Sequence, residues 1–290
     1  MKSTKKGLFL VIISGIVFGV MPSTVAFCYA QGANKLLVIL FRYLVLTAVL
    51  LPIVLKQKNT WSLYRKNWKK FLALSLASAC TPLLLYSAYN LLPTGVVTTI
   101  HFLYPTVVAL ICVLIFHEKL SKLKLACLIL CVSGMLLMLD TSGLAFSAAG
   151  FAIAVASSFT WATYIVLLDK LDFQEATSIQ IMFGVSLNGI VLALIAAGVS
   201  GMLAVSMTTV GWLALIGTSI FISVCGGLFF AIGVRETDAQ VSAIASTLEP
   251  ITSLLVGVLL LNEEITWTSA IGAVLILTAV VLLSTVNEDR

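Results

Sequence analysis

Ten apolar runs of about 20 residues follow one another along this chain, each long enough to cross a hydrocarbon core about 30 Å thick as a helix. In such a core every backbone N–H and C=O has to be satisfied inside the segment that carries it, which commits each run to helix. The runs cover residues 7–30, 36–55, 71–91, 96–116, 123–139, 148–168, 177–198, 210–234, 239–261 and 267–284. Composition removes the soluble alternative. Hydrophobic residues make up 60% of the 290 and charged residues 10%, with a mean hydropathy of +1.13. A soluble domain carries about 25% charge and roughly 45–50% apolar residues. The expected fold class is an all-α membrane protein of ten transmembrane helices.

The formal net charge is +5, but its distribution reads as topology and not as a surface for nucleic acid. Lys2, Lys5 and Lys6 precede the first run. Lys56, Lys58, Arg65, Lys66, Lys69 and Lys70 fill the second-to-third connection, and Lys119, Lys122 and Lys124 the fourth-to-fifth. All three clusters fall on one side if ten spans alternate, and the other side has only Lys35. Both termini are therefore expected in the cytoplasm. Trp61 and Trp68 in the second-to-third connection suit a segment lying against anionic headgroups. The first run is longer than a signal-peptide core and ends in a poor cleavage context, Phe27-Cys28-Tyr29, so a retained span is expected. All six cysteines (Cys28, Cys80, Cys112, Cys127, Cys131 and Cys225) lie in apolar runs. They are expected to be buried thiols behaving as small hydrophobes.

Within the ninth run an acid stands directly before a proline, Glu249-Pro250. An ionisable residue inside a span is costly and marks a functional site, and proline frees the carbonyl one turn upstream, at Ser246. The stretch has a counterpart. LYPTVVALICVLIFHEKLSKLKLACLILCVSGMLLM aligns without a gap on LEPITSLLVGVLLLNEEITWTSAIGAVLILTAVVLL. Tyr104-Pro105 falls on Glu249-Pro250, His101 on Ser246, Glu118 on Glu263 and Ser121 on Thr266. Halves of five spans, an odd number, must be inverted relative to each other. The expected organisation is therefore two inverted five-helix repeats, residues 1–140 and 147–286. Inverted repeats are a hallmark of secondary transporters, with the site between them near the midplane.

These residues resemble the EamA family of the drug/metabolite transporter superfamily, over essentially the whole chain. The two aligned segments carry the resemblance, together with SSFTWATYIVLLDKL at the start of the second half and LFRYLVLTAVLLP in the second span. It implies a ten-span carrier of a small metabolite, amino acid or drug, often moved outward. It is nearly silent about which one. Tyr104 stands where many such repeats carry a small or apolar residue, and Cys127 stands where the second half has Gly272.

Glu249 lies about ten residues, roughly 15 Å, into its span. Ser242, Ser246, Ser253 and Gly257 share its face at helical spacing, a pattern that suits a helix contact or a cavity lining. Such an acid couples protons or captures a substrate amine; alternatively it braces the broken helix. Pro105 and Pro250 are expected to kink their helices, as paired hinges or as passive curvature. His101 and Tyr104 occupy the matching face of the fourth span. Arg42, about seven residues into the second span, either snorkels outward or faces the bundle toward Glu249 or a substrate carboxylate. Arg42 and Glu249 together would suit an amino acid. Trp161, Tyr164, Tyr86, Tyr89, Phe18, Gln180 and Asn188 are further candidates for a lining. Ser14-Gly15, Gly19 and Gly226-Gly227 read as close helix packing. Glu118 and Glu263 are expected to cap helix ends.

Other function classes find little support. The chain has no GxGD or HExxH motif for a membrane enzyme and no GxxxxGK[ST] loop for ATP. Its two histidines, His101 and His117, sit at different depths of one helix and do not make a metal site. No cofactor is implied. A non-transporting scaffold or sensor stays open as an alternative. The partners expected are a small-molecule substrate, protons and the lipid bilayer, with the protein a monomer or homodimer.

Overall fold

The protein is described by a computed structural model over residues 4–92, 94–138, 147–173, 176–200, 206–261 and 266–284. Glu263 and its neighbours therefore lie outside the described residues. Every regular element is helical, and most begin where a polar residue interrupts an apolar run. The first half contains α1 (Thr4–Ala30), α2 (Lys35–Leu55), α3 (Thr60–Lys66), α4 (Trp68–Ala88), α5 (Thr94–His101), α6 (Tyr104–Leu114) and α7 (Lys122–Met138). The second contains α8 (Ala148–Lys170), α9 (Ser178–Ser200), α10 (Thr209–Ile220), α11 (Phe229–Glu236), α12 (Ala239–Ala245), α13 (Leu248–Leu261) and α14 (Trp267–Ser284). Asn34, Ser147, Thr208 and Asp238 each accept a backbone N–H at a helix start, the orphan donor such a residue satisfies.

Among the described residues, eight helical segments are long and apolar enough to cross a membrane. The other two expected spans are shorter: α7 has 17 residues, and an apolar helix covers Trp267–Leu283. These two pack tightly on each other. A Cβ built on Gly134 would meet the Gly272 carbonyl oxygen at 2.6 Å, so only glycine permits this approach. Short α3 lies between spans with Trp61 and Trp68 exposed beside its lysines, as an interfacial segment requires.

The spans that carry Pro105 and Pro250 are broken, whereas Pro22, Pro52 and Pro82 sit inside continuous helices. A two-residue turn, Phe102-Leu103, separates α5 from α6, and another, Ser246-Thr247, separates α12 from α13. The Ser246 carbonyl is not left orphaned, since Glu249 N–H donates to it at 3.1 Å in a tighter turn. A further break is absent from the sequence reading. Between α10 and α11 the backbone is π-helical over Phe221–Leu228. There Gly226 packs under the Phe18 ring and Ser14 Oγ donates to the Gly226 carbonyl at 2.9 Å. Such wide turns concentrate at functional sites.

The packing is symmetric under exchange of the halves. α1 lies against α10–α11 and α12–α13, and its counterpart α8 lies against α4 and α5–α6. Of the remaining large contacts, α2 with α9, α6 with α12 and α7 with α14 join counterparts, and α4 with α9 is matched by α10 with α2. The core is thus the joint between two similar halves. Gly15 and Gly19 of α1 let it approach the broken segment at Ser246 and Glu249.

Candidate functional site

α1 sets the depth scale. Its start packs Gly7 on Thr237, and its end brings Gly32 against Ser206 and Gln31 against Gly211. The chain from α10 to α11 therefore runs antiparallel to it. One end of the protein carries residues 31–35 and 89–90; the other carries the α1 start, residues 117–124, the α8 end and residues 235–240.

Between these ends the halves enclose a cavity of about 110 Å³. Its polar wall includes Arg42 and Tyr43 from α2, Ser78, Thr81 and Tyr86 from α4, His101 from α5, Ser223 from the π-helical turn and Glu249 from α13. The apolar wall includes Phe18, Leu46, Trp161, Tyr164 and Met182. Arg42 thus faces the bundle and does not snorkel outward. It forms no ion pair with Glu249: neither residue joins one among the described residues. Its side chain contacts Met21 Sδ at 3.9 Å, and its carbonyl accepts from Ser223 Oγ at 3.0 Å, which ties α2 to the π-helical turn. His101 Nδ1 lies 3.0 Å from Ser157 Oγ.

Met21 and Tyr86 also line a second cavity of about 470 Å³, bounded by Tyr29, Asn34, Lys35, Tyr89 and Asn90. This chamber adjoins the central cavity at Met21 and Tyr86 and lies toward the end bearing residues 31–35. Lys35 Nζ donates to Ser87 Oγ at 3.1 Å on its rim.

In the opposite direction the way is shut twice. The first barrier is aromatic. Trp161 stacks on Phe230 and Tyr164, with centroids 5.4 and 5.0 Å apart, and meets Phe18 and Tyr104 edge-on. The second barrier, nine residues or about 13 Å further along α8, is ionic. Lys170 bridges Glu118 and Asp169, the latter at 2.7 Å. Gln240 Nε2 donates to Glu118 Oε2 at 3.0 Å, and Lys124 pairs with Asp238 at 3.0 Å. Asp169 also accepts from the Ala239 N–H. Glu118 is thus a latch between halves and not the helix cap expected from its position.

Several expected lining residues fall elsewhere. Tyr104 Oη and Ser246 Oγ, 2.7 Å apart, join the two broken spans to each other, fully buried. Ser242 pairs with Thr237 at 2.7 Å. Ser253 is half-buried outside the cavity wall. Asn188 accepts from Tyr64 of α3, and Gln180 donates to Thr60 at 2.9 Å, so both fasten the interfacial segment. Pro105 and Pro250 follow the two helix breaks, as their spacing implied. Ser223 and Glu118 were missed for different reasons. Ser223 is one serine in an apolar run, visible only by its proximity to Gly226-Gly227. Glu118 has partners 52 and 122 residues away.

The EamA-like transporter family model matches residues 5–140 and again 148–285. A relative from Salmonella typhimurium (strain LT2), "Uncharacterized inner membrane transporter YicL", is 25% identical over 303 residues. The match covers 100% of this chain and 99% of that one. "Uncharacterized transporter YvbV" from Bacillus subtilis (strain 168) is also 25% identical, over 85% of this chain and 80% of its own. A solved structure, described only as the crystal structure of a protein, superposes with a TM-score of 0.83 over 97% of this chain and 98% of its own. At 17% identity it speaks to the fold alone.

Proposed function

The chain belongs to the EamA-like transporter family, a multi-pass transporter of the cell membrane, and on that premise we propose that it is a secondary transporter working by alternating access. It exports a small metabolite, amino acid or drug-like molecule. The two halves, residues 1–140 and 147–286, act as inverted repeats of five crossings each, with both termini in the cytoplasm. The clustering of Lys and Arg at the latch end and between α2 and α4 supports that orientation.

One observation carries the reading above all. A cavity lined by Arg42 and Glu249 lies where the two exchange-symmetric halves meet, sharing Met21 and Tyr86 with a chamber toward one end and separated by ion pairs from the other. A scaffold needs neither the cavity nor the asymmetric closure. In this reading the protein faces outward, and rocking of the halves about the breaks at Phe102-Leu103 and Ser246-Thr247 parts the latch while closing the outer chamber. Without an ATP-binding loop the energy comes from a gradient, and Glu249 is the group that exchanges the proton.

Counterflow in proteoliposomes tests this. Purified protein preloaded with a panel of amino acids, nucleosides, vitamins and lipophilic cations should accumulate at least one labelled solute. Glu249→Gln should keep that exchange and lose accumulation driven by a pH gradient. Absence of flux across the panel would favour a scaffold, and unchanged gradient-driven uptake in the variant would remove Glu249 from coupling.

A further inference from the structure

The segment between α2 and α4 presents a fixed basic face at the latch end of the protein. Asn59, in the left-handed region at φ 64°, turns the chain back after α2, a conformation asparagine adopts more readily than most residues. From Lys56 to Lys70 there are six basic residues and no acid. Lys70 is engaged by the protein itself, since its Nζ donates to the Asp172 carbonyl. Lys56, Lys58, Arg65, Lys66 and Lys69 are exposed, and none of them joins an ion pair among the described residues. Trp61 and Trp68 stand among them, 57% and 51% exposed, with Lys69 Nζ 5.7 Å from the centre of the Trp68 ring. The inner face is bound to the second half: Tyr64 donates to Asn188, Gln180 donates to Thr60 at 2.9 Å, and Thr177 donates to Gln57 at 3.2 Å. Asn67 fixes the corner into α4, buried with its amide donating to the Leu63 carbonyl at 3.1 Å.

We infer that this face is a binding site for the phosphate headgroup of an anionic phospholipid in the leaflet at the latch end. Orienting a membrane protein requires only enough Lys and Arg beside its spans, and a loose loop would serve. Here side-chain bonds to the second half hold the segment still, so its charges stand at fixed positions. Trp61 and Arg65, four apart, share one side of α3, with Ser62 and Lys66 beside them, all four exposed. An indole with an apolar body and a polar N–H settles at headgroup depth, which sets the neighbouring cations level with the lipid phosphates. Arginine grips a phosphate through two parallel N–H donors, and lysine adds a point charge. A zwitterionic headgroup brings its own cation and competes with the basic side chains; an anionic headgroup has none and gains the full attraction. The exposed Ile53 and Leu55, directly before the basic segment, meet the acyl chains of the same lipid.

This site requires the protein to lie in a membrane and does not depend on transport. The test titrates the full-length protein in neutral detergent with phosphatidylglycerol or phosphatidylcholine of the same acyl chains. Native mass spectrometry reads the bound lipid, and the melting temperature without lipid reads the fold. Phosphatidylglycerol should bind about 30-fold tighter, the contrast that two basic residues near one headgroup provide. Arg65→Gln, Lys66→Gln and Lys69→Gln together should cut that preference to about 3-fold or less. They should keep the melting temperature, because all three side chains are exposed. Lys6→Gln, Lys119→Gln and Lys122→Gln together remove the same charge from exposed positions elsewhere at this end and should leave the preference at about 30-fold. Inorganic phosphate at millimolar concentration should not displace the lipid. Equal affinity for the two lipids, or equal loss of preference in the two triple variants, would overturn the assignment. Displacement by inorganic phosphate would overturn it in favour of a site for the free ion.

Discussion

Removing the charge of Glu118 should open the barred end. Its carboxylate receives Lys170 on one oxygen and Gln240 on the other, which joins the loop after α6 to α8 and to α12. The Lys170 and Glu118 side chains are 19% and 31% exposed. Breaking a fully buried pair costs about 3–5 kcal/mol, and a surface pair is worth about 0–1. At this partial exposure Glu118→Gln should cost the closed arrangement about 2 kcal/mol, roughly a 30-fold shift toward opening. Lys170 keeps Asp169, and Lys124–Asp238 is untouched, so the end loosens without falling apart. Cys112 is the reporter. It is fully buried, and its carbonyl accepts from Glu118 N–H at 3.0 Å. In a background with the other five cysteines replaced, its rate of modification by a water-soluble maleimide follows the open fraction. That rate should rise roughly 30-fold in Glu118→Gln and stay unchanged in Lys35→Gln at the opposite end. A rise of less than about 3-fold would refute the latch.

Two further outcomes test the joint between the halves. Gly134→Leu inserts a side chain where even a Cβ would sit 2.6 Å from the Gly272 carbonyl oxygen; it should lower stability in detergent by about 1–3 kcal/mol, read as a lower melting temperature, while Gly198→Leu, which faces open space, should have little effect. Tyr104→Phe deletes the hydroxyl bound to Ser246 across the broken spans and should cost about 1 kcal/mol in the same assay.

Much of this protein is written locally. The apolar runs specify membrane helices, because lipid forces each segment to satisfy its own backbone wherever its neighbours stand. Pro105 and Pro250 stand just after two of the helix breaks, but proline alone does not specify a break, since Pro22, Pro52 and Pro82 lie inside continuous helices. The Glu249-Pro250 pair and its counterpart also locate the joint between halves, and the cavity lies there. Sequence spacing could not decide which polar residues face that cavity. Ser246, Glu249 and Ser253 share one helical face, yet only Glu249 reaches the wall, because the break at Ser246-Thr247 turns the first away and binds it to Tyr104. Asn188 looked equivalent to Arg42 as a polar residue in a span, but α3 folds back and takes it. The π-helical turn and the Glu118–Lys170 latch have no local signature at all. Both depend on groups brought together by helix rotation and by contacts across the halves, and those follow from packing the whole bundle, not from the period of any one segment.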